Sequence, residues 1–138
     1  MDDIRKELLL GMGFSEKAVL ILEQELNMGA MEEASVTVQH QGTCGDILIL
    51  HLKIVDTIIK NASYEYVGCA GLQACASALT EMIKGQALDQ ANTIENEDII
   101  SYLGGIPPQK FECAEIARET LRKAITSSQR SEENIDLV

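Results

Sequence analysis

Four cysteines carry most of the chemistry open to this 138-residue chain: Cys44, Cys69, Cys75 and Cys113. Cys69 follows a strand-like run, Tyr64 to Val67, that ends at Gly68, and it opens a helix-like run of small and apolar residues. That predicts a helix N-terminus, where free N–H groups and the positive end of the helix dipole favour thiolate over thiol. Cys44 lies in the Gly-containing loop Gln41-Gly42-Thr43-Cys44-Gly45, and Cys113 lies where Pro107-Pro108 leads into a helix. All three cysteines sit at ends of elements, where turns can converge and water can reach. Their wide spacings match no local zinc-finger motif. Asp46, just beyond Cys44, is an oxygen donor beside the group, or else a solvated residue opening a strand. Cys75 falls mid-helix among Ala74, Ala76 and Ala78, about 120° around from Cys69, and reads as core packing.

The elements that position these residues follow from periodicity. Ile4 to Leu10 is a short apolar helix, broken by Gly11 and Gly13. Ser15 caps a second helix running to Leu26, with Val19, Leu20, Leu22 and Leu26 largely on one face. Ser35 to Val38 alternates as a strand. Ile47 to Ile54 is a strongly apolar strand, with Leu48, Leu50, Leu52 and Ile54 on one face and His51 and Lys53 on the other. Ile58 to Val67 is a third strand after a turn near Asp56, and short loops between strands predict an antiparallel meander. Beyond Gly85 the chain reads helical: a turn at Leu88 to Ala91, a helix Glu97 to Leu103 capped by Asn96, an extended Pro107-Pro108, and a last helix Phe111 to Ile125. Thr126 to Val138 is polar and is expected to be a flexible tail.

Composition narrows the class. The length suits one domain with a real core. With 22 acidic and 11 basic side chains the net charge is −11, which argues against nucleic acid or an anionic membrane as the main partner. No stretch approaches a membrane span, and the acidic start Met1-Asp2-Asp3 lacks the basic start of a signal peptide. The expected setting is cytoplasmic, where four cysteines point to metal or sulfur chemistry before disulfides.

Cys44-Gly45-Asp46, then Gly68-Cys69 opening a small-residue helix, then Pro107-Pro108-Gln109-Lys110-Phe111-Glu112-Cys113 resembles the IscU/NifU-type iron–sulfur cluster assembly scaffold. The similarity runs from about Phe14 to Ile125 and includes Asn27-Met28-Gly29 and Leu79 to Gly85. The resemblance implies an α+β fold: a small three-stranded antiparallel sheet with helices mainly on one face. It implies a single domain over 1–138, with 1–13 as an N-terminal extension. It implies metal or cluster ligation by Cys44, Cys69 and Cys113 with Asp46 beside them. The long insertion of the related SufU type between the second and third cysteines is absent. Two departures stand out. Glu112 replaces the His that usually precedes the third cysteine, so it is an additional candidate ligand or a solvated residue. The Leu-Pro-Pro-Val-Lys chaperone-recognition motif appears as Ile106-Pro107-Pro108-Gln109-Lys110, making Pro107, Pro108 and Lys110 the candidate partner-binding residues.

The expected function is therefore a scaffold without turnover of its own. It would assemble 2Fe-2S clusters from iron and sulfur delivered by a cysteine desulfurase and pass them to apo-proteins. An Hsp70-type chaperone pair and a second copy of the chain are further expected partners. Three thiolates suit iron and sulfide, and one carboxylate leaves a weaker corner for release. The alternative is a zinc-bound sulfurtransferase of SufU type using the same four residues. A purely structural interaction domain is the third reading, in which every cysteine is dispensable.

Overall fold

The computed structural model describes residues 1–136, with side chains as far as Arg130. Its framework is an antiparallel meander, β1 (Val36–Gln41), β2 (Ile47–Val55) and β3 (Ile58–Val67), in the order β1-β2-β3. Alternation along β2 sets the two faces. Leu48, Leu50 and Leu52 are buried and, with Ala62 and Tyr64 of β3, floor the core. The β2–β3 turn is made by Asp56 and Thr57, both in the left-handed region (φ 54° and 65°), the geometry whose twist suits a tight hairpin. Thr37, Gln39 and Gln41 are exposed on the opposite face of the sheet. His51 lies on that face yet is buried, held across strands by Thr37 at 2.9 Å and Glu65 at 2.8 Å.

Two helices cover the apolar face, α3 (Ala70–Ile83) and α6 (Phe111–Asp136). Nearly every residue of α3 is buried, which its run of alanines permits by letting neighbours approach closely. Its polar side chains are satisfied within the core. Ser77 meets the Tyr64 hydroxyl at 2.6 Å, Thr80 donates to the Ala76 carbonyl at 2.8 Å, and Gln73 accepts from Tyr66 at 2.9 Å. Helices α1 (Asp3–Met12), α2 (Glu16–Gln24), α4 (Leu88–Ala91) and α5 (Asn96–Tyr102) complete the layer. The architecture is the α+β fold expected, a three-stranded antiparallel sheet with helices packed on one side.

Several boundaries differ from the sequence reading. Gly11 does not break α1. The helix passes through it and stops at Gly13, whose φ of 111° gives the left-handed cap. Strand β1 runs on to Gln41 because pairing with β2 continues to the Gln41–Ile47 pair. Ser15 caps α2 as expected, accepting from the Ala18 N–H at 2.9 Å, but that helix ends at Gln24. Glu95, not Asn96, is the N-cap of α5: Asp98 accepts from the Glu95 N–H at 2.9 Å, while Arg118 and Arg122 of α6 hold the Glu95 carboxylate. Only Pro107 is extended, because a proline restricts the residue before it. Pro108–Lys110 forms a 3₁₀ turn leading into α6, with proline at a helix-start position it fits. Helix α6 continues past Ile125 to Asp136; Leu137 and Val138, the end of the expected tail, lie outside the described residues. Among the described residues no helix is long and apolar enough to cross a membrane.

Candidate metal centre

Three element ends meet where β2 begins, β3 ends and α6 starts. The β1–β2 loop closes on itself: the Gly42 N–H donates to the Asp46 carbonyl at 2.8 Å and the Gly45 N–H to the Gly42 carbonyl at 3.0 Å. Gly45 takes φ 90°, open to glycine at no steric cost. This tight loop delivers Asp46 to the mouth of the sheet. Cys69 is the N-cap of α3, with extended backbone (φ −88°, ψ 172°). Cys113 sits in the first turn of α6 and is buried.

The three side chains converge. Cys69 Sγ lies 3.7 Å from Cys113 Sγ and 3.8 Å from Asp46 Oδ2, and the three donor atoms lie within 4.8 Å of one another. A tetrahedral ion with metal–sulfur bonds of about 2.3 Å has edges of about 3.8 Å between its donors. The two edges that meet at Cys69 therefore already stand at ligand spacing. Two glycines make that approach possible. A Cβ on Gly68 would fall 2.9 Å from the Asp46 carboxylate, and one on Gly71 would fall 3.2 Å from Cys113 Sγ.

Electrostatics divides the thiols. Cys69 is drawn down to about 5, chiefly because the Cys113 thiol donates to it; the Leu72 N–H and the Lys110 charge help, and partial burial opposes. Cys113 is pushed up, first by the hydrogen bond it gives Cys69 and then by burial. At neutral pH the pair thus holds one proton, with Cys69 as thiolate. Cys75 is fully buried on α3, and burial pushes its thiol up to about 12, so it stays a core residue as its helix position indicated.

The remaining sequence candidates fall around this cluster, not in it. Cys44 is exposed on the closed loop and is not among the three gathered donors. Glu112 is also outside the cluster. It is exposed and faces a neighbouring cleft of about 260 Å³ lined by His40, Thr43, Glu115 and Ile116 among others. Pro107 is buried, with Gly13 against it, whereas Pro108 is exposed. Lys110 lies against the first turn of α3: a Cβ on Gly71 would be 3.1 Å from its Cβ and 3.2 Å from its Cδ. Sequence reasoning assigned Lys110 to partner binding and missed its place beside the thiols, which depends on α3 and α6 packing together. It also missed Gly71 as a spacer, since a glycine among alanines carries no mark of its own.

The NifU-like N terminal domain model matches residues 14–134, starting just after α1. An Archaeoglobus fulgidus relative named iron-sulfur cluster assembly scaffold protein IscU 1 is 32% identical over 91% of this chain and 82% of its own length. The Escherichia coli protein of the IscU name is 34% identical over 83% of this chain and 92% of its own. Among solved structures, FiSufU from Fervidobacterium islandicum has a TM-score of 0.68, with 20% identity, over 81% of this chain and 96% of that one, which bears on the fold. By the family match and these relatives, the chain belongs to the NifU-like N-terminal domain family.

Proposed function

We propose that this protein is a scaffold for building iron–sulfur clusters, with a 2Fe-2S cluster as cargo rather than resident cofactor. The observation that carries the reading is the Asp46–Cys69–Cys113 cluster at ligand spacing, in a chain whose relatives are named as such scaffolds. Two soft sulfurs and one oxygen suit iron with sulfide. Cys44 is the fourth donor in this reading. It is exposed on a loop that already ends at Asp46, so a small loop movement brings it in. Sulfur arrives by exchange. The Cys69 thiolate attacks the outer sulfur of a protonated persulfide on a cysteine desulfurase, a new S–S bond forms, the donor S–S bond breaks, and the donor thiolate leaves with the electron pair. Asp46 holds iron less covalently than a thiolate and supplies the corner at which an acceptor protein's thiolate enters. Acceptors are apo iron–sulfur proteins. In this reading an Hsp70-type chaperone pair reads the exposed Pro108 and its neighbours, a second copy shares the cluster as a homodimer, and the setting is cytoplasmic.

The same spacing suits a single zinc ion, so zinc-bound sulfur transfer is the second reading. Anaerobic purification with metal analysis separates them. The scaffold reading expects brown protein holding iron and acid-labile sulfide in equal amounts. Colourless protein with stoichiometric zinc that takes up sulfur but no iron would overturn it in favour of transfer.

A further inference from the structure

Lys110 is set apart from the other lysines of this acidic chain by its place beside Gly71 and Cys113. Lys6, Lys53 and Lys84 each pair with a glutamate; Lys110, like Lys17, Lys60 and Lys123, has no carboxylate partner among the described residues. Its half-buried stem runs across Gly71, the one place on the first turn of α3 where the absence of a Cβ lets it lie against the backbone. The same Gly71 gap admits Cys113 Sγ, so the lysine stem and the thiol are carried to one spot by one glycine. The positive charge bears on both Cys69 and Cys113, and the desolvation of the pair leaves that charge less screened than at an open surface. With no ion pair to break, it is available to an incoming anion.

We propose that Lys110 is the anion-positioning residue of this site, holding the negatively charged sulfur that arrives at or departs from Cys69. The ligand class is an anionic sulfur species: the donor thiolate that leaves and the persulfide left behind once it loses its proton to water. This inference rests on the scaffold reading for its cargo, but its test does not. Metal-free protein carrying Cys44→Ser, to remove the exposed thiol, is mixed with one of two aromatic disulfides. Dithiobis(nitrobenzoate) is doubly negative; dithiodipyridine is neutral. In each, the Cys69 thiolate attacks one sulfur, a mixed disulfide forms, the reagent S–S bond breaks, and a coloured thiolate or thiopyridone leaves. Lys110→Gln is expected to slow the anionic reagent about five- to tenfold more than the neutral one. Lys110→Arg is expected to restore the ratio, and added salt to shrink it in the parent protein. Equal slowing with both reagents would overturn the proposal, since a lysine that only shapes the cleft affects both alike. An unchanged ratio would overturn it as well. No iron enters the assay, so its result stands whether or not a cluster assembles.

Discussion

At the scale of single residues, the site depends on what is missing as much as on what is present. Gly71 lets Cys113 and Lys110 meet α3, and a methyl there would press on both at 3.1–3.2 Å. The same methyl favours helix by about 0.5–1 kcal/mol over glycine. Gly71→Ala is therefore expected to leave the melting temperature unchanged or raised while metal affinity falls about tenfold, as when a ligand's support is disturbed. Titration with cobalt beside thermal unfolding checks this; loss of both together would show that Gly71 serves folding, not the site. The thiol pair makes a second prediction. Cys69 is reactive only as thiolate, so its alkylation rate should rise through pH 5 and stay flat above. Since the Cys113 hydrogen bond is the largest cause of that shift, Cys113→Ala should move the midpoint upward toward an ordinary thiol. Alkylation followed by mass spectrometry, in a Cys44→Ser background, reads the midpoint. An unmoved midpoint would assign the shift to the helix N-terminus instead.

At the scale of elements, local patterns were legible and tertiary ones were not. Alternation marked β2, and the short turn near Asp56 marked the hairpin, because both are decided within a few residues. The start of α5 was misplaced by one residue: Asp98 inside the helix accepts from the Glu95 N–H, and arginines from α6 hold the Glu95 side chain. Gly11 did not end α1, since a glycine in an exposed helix costs only about 1 kcal/mol and the stop awaited a residue able to turn left-handed. The hairpin offers its own test. Thr57 is β-branched and sits at φ 65°, a conformation that costs an L-residue about 1–2 kcal/mol. Thr57→Gly should stabilise the fold by about 0.5–1 kcal/mol in urea, the relief being partly offset by glycine's greater freedom when unfolded. A loss of stability would mean that the threonine side chain makes a contact worth more than the strain.

At the scale of the whole molecule, the sheet and two helices act as a frame that brings the ends of separate elements to one corner. The order of motifs along the chain marked Cys44, Asp46, Cys69 and Cys113 as a group, and the structure gathers the last three of them. It could not show that Cys44 would stand outside the cluster, because its place depends on how the loop closes over Gly42, whose bare Cα lies against Ile116 of α6. Nor could it separate Glu112 from Cys113, neighbours in sequence that α6 turns apart, one to an outer cleft and one to the core. The central claim is that Cys44, Cys69 and Cys113 hold a transferable iron–sulfur cluster while Cys75 only packs the core. Anaerobic reconstitution with iron and sulfide, read by visible absorbance and sulfide content across Cys44→Ser, Cys69→Ser, Cys113→Ser and Cys75→Ala, tests it most directly. The account predicts a stable cluster in the parent protein and in Cys75→Ala, and none in the other three. A cluster that survives Cys69→Ser, or that Cys75→Ala alone abolishes, would contradict it.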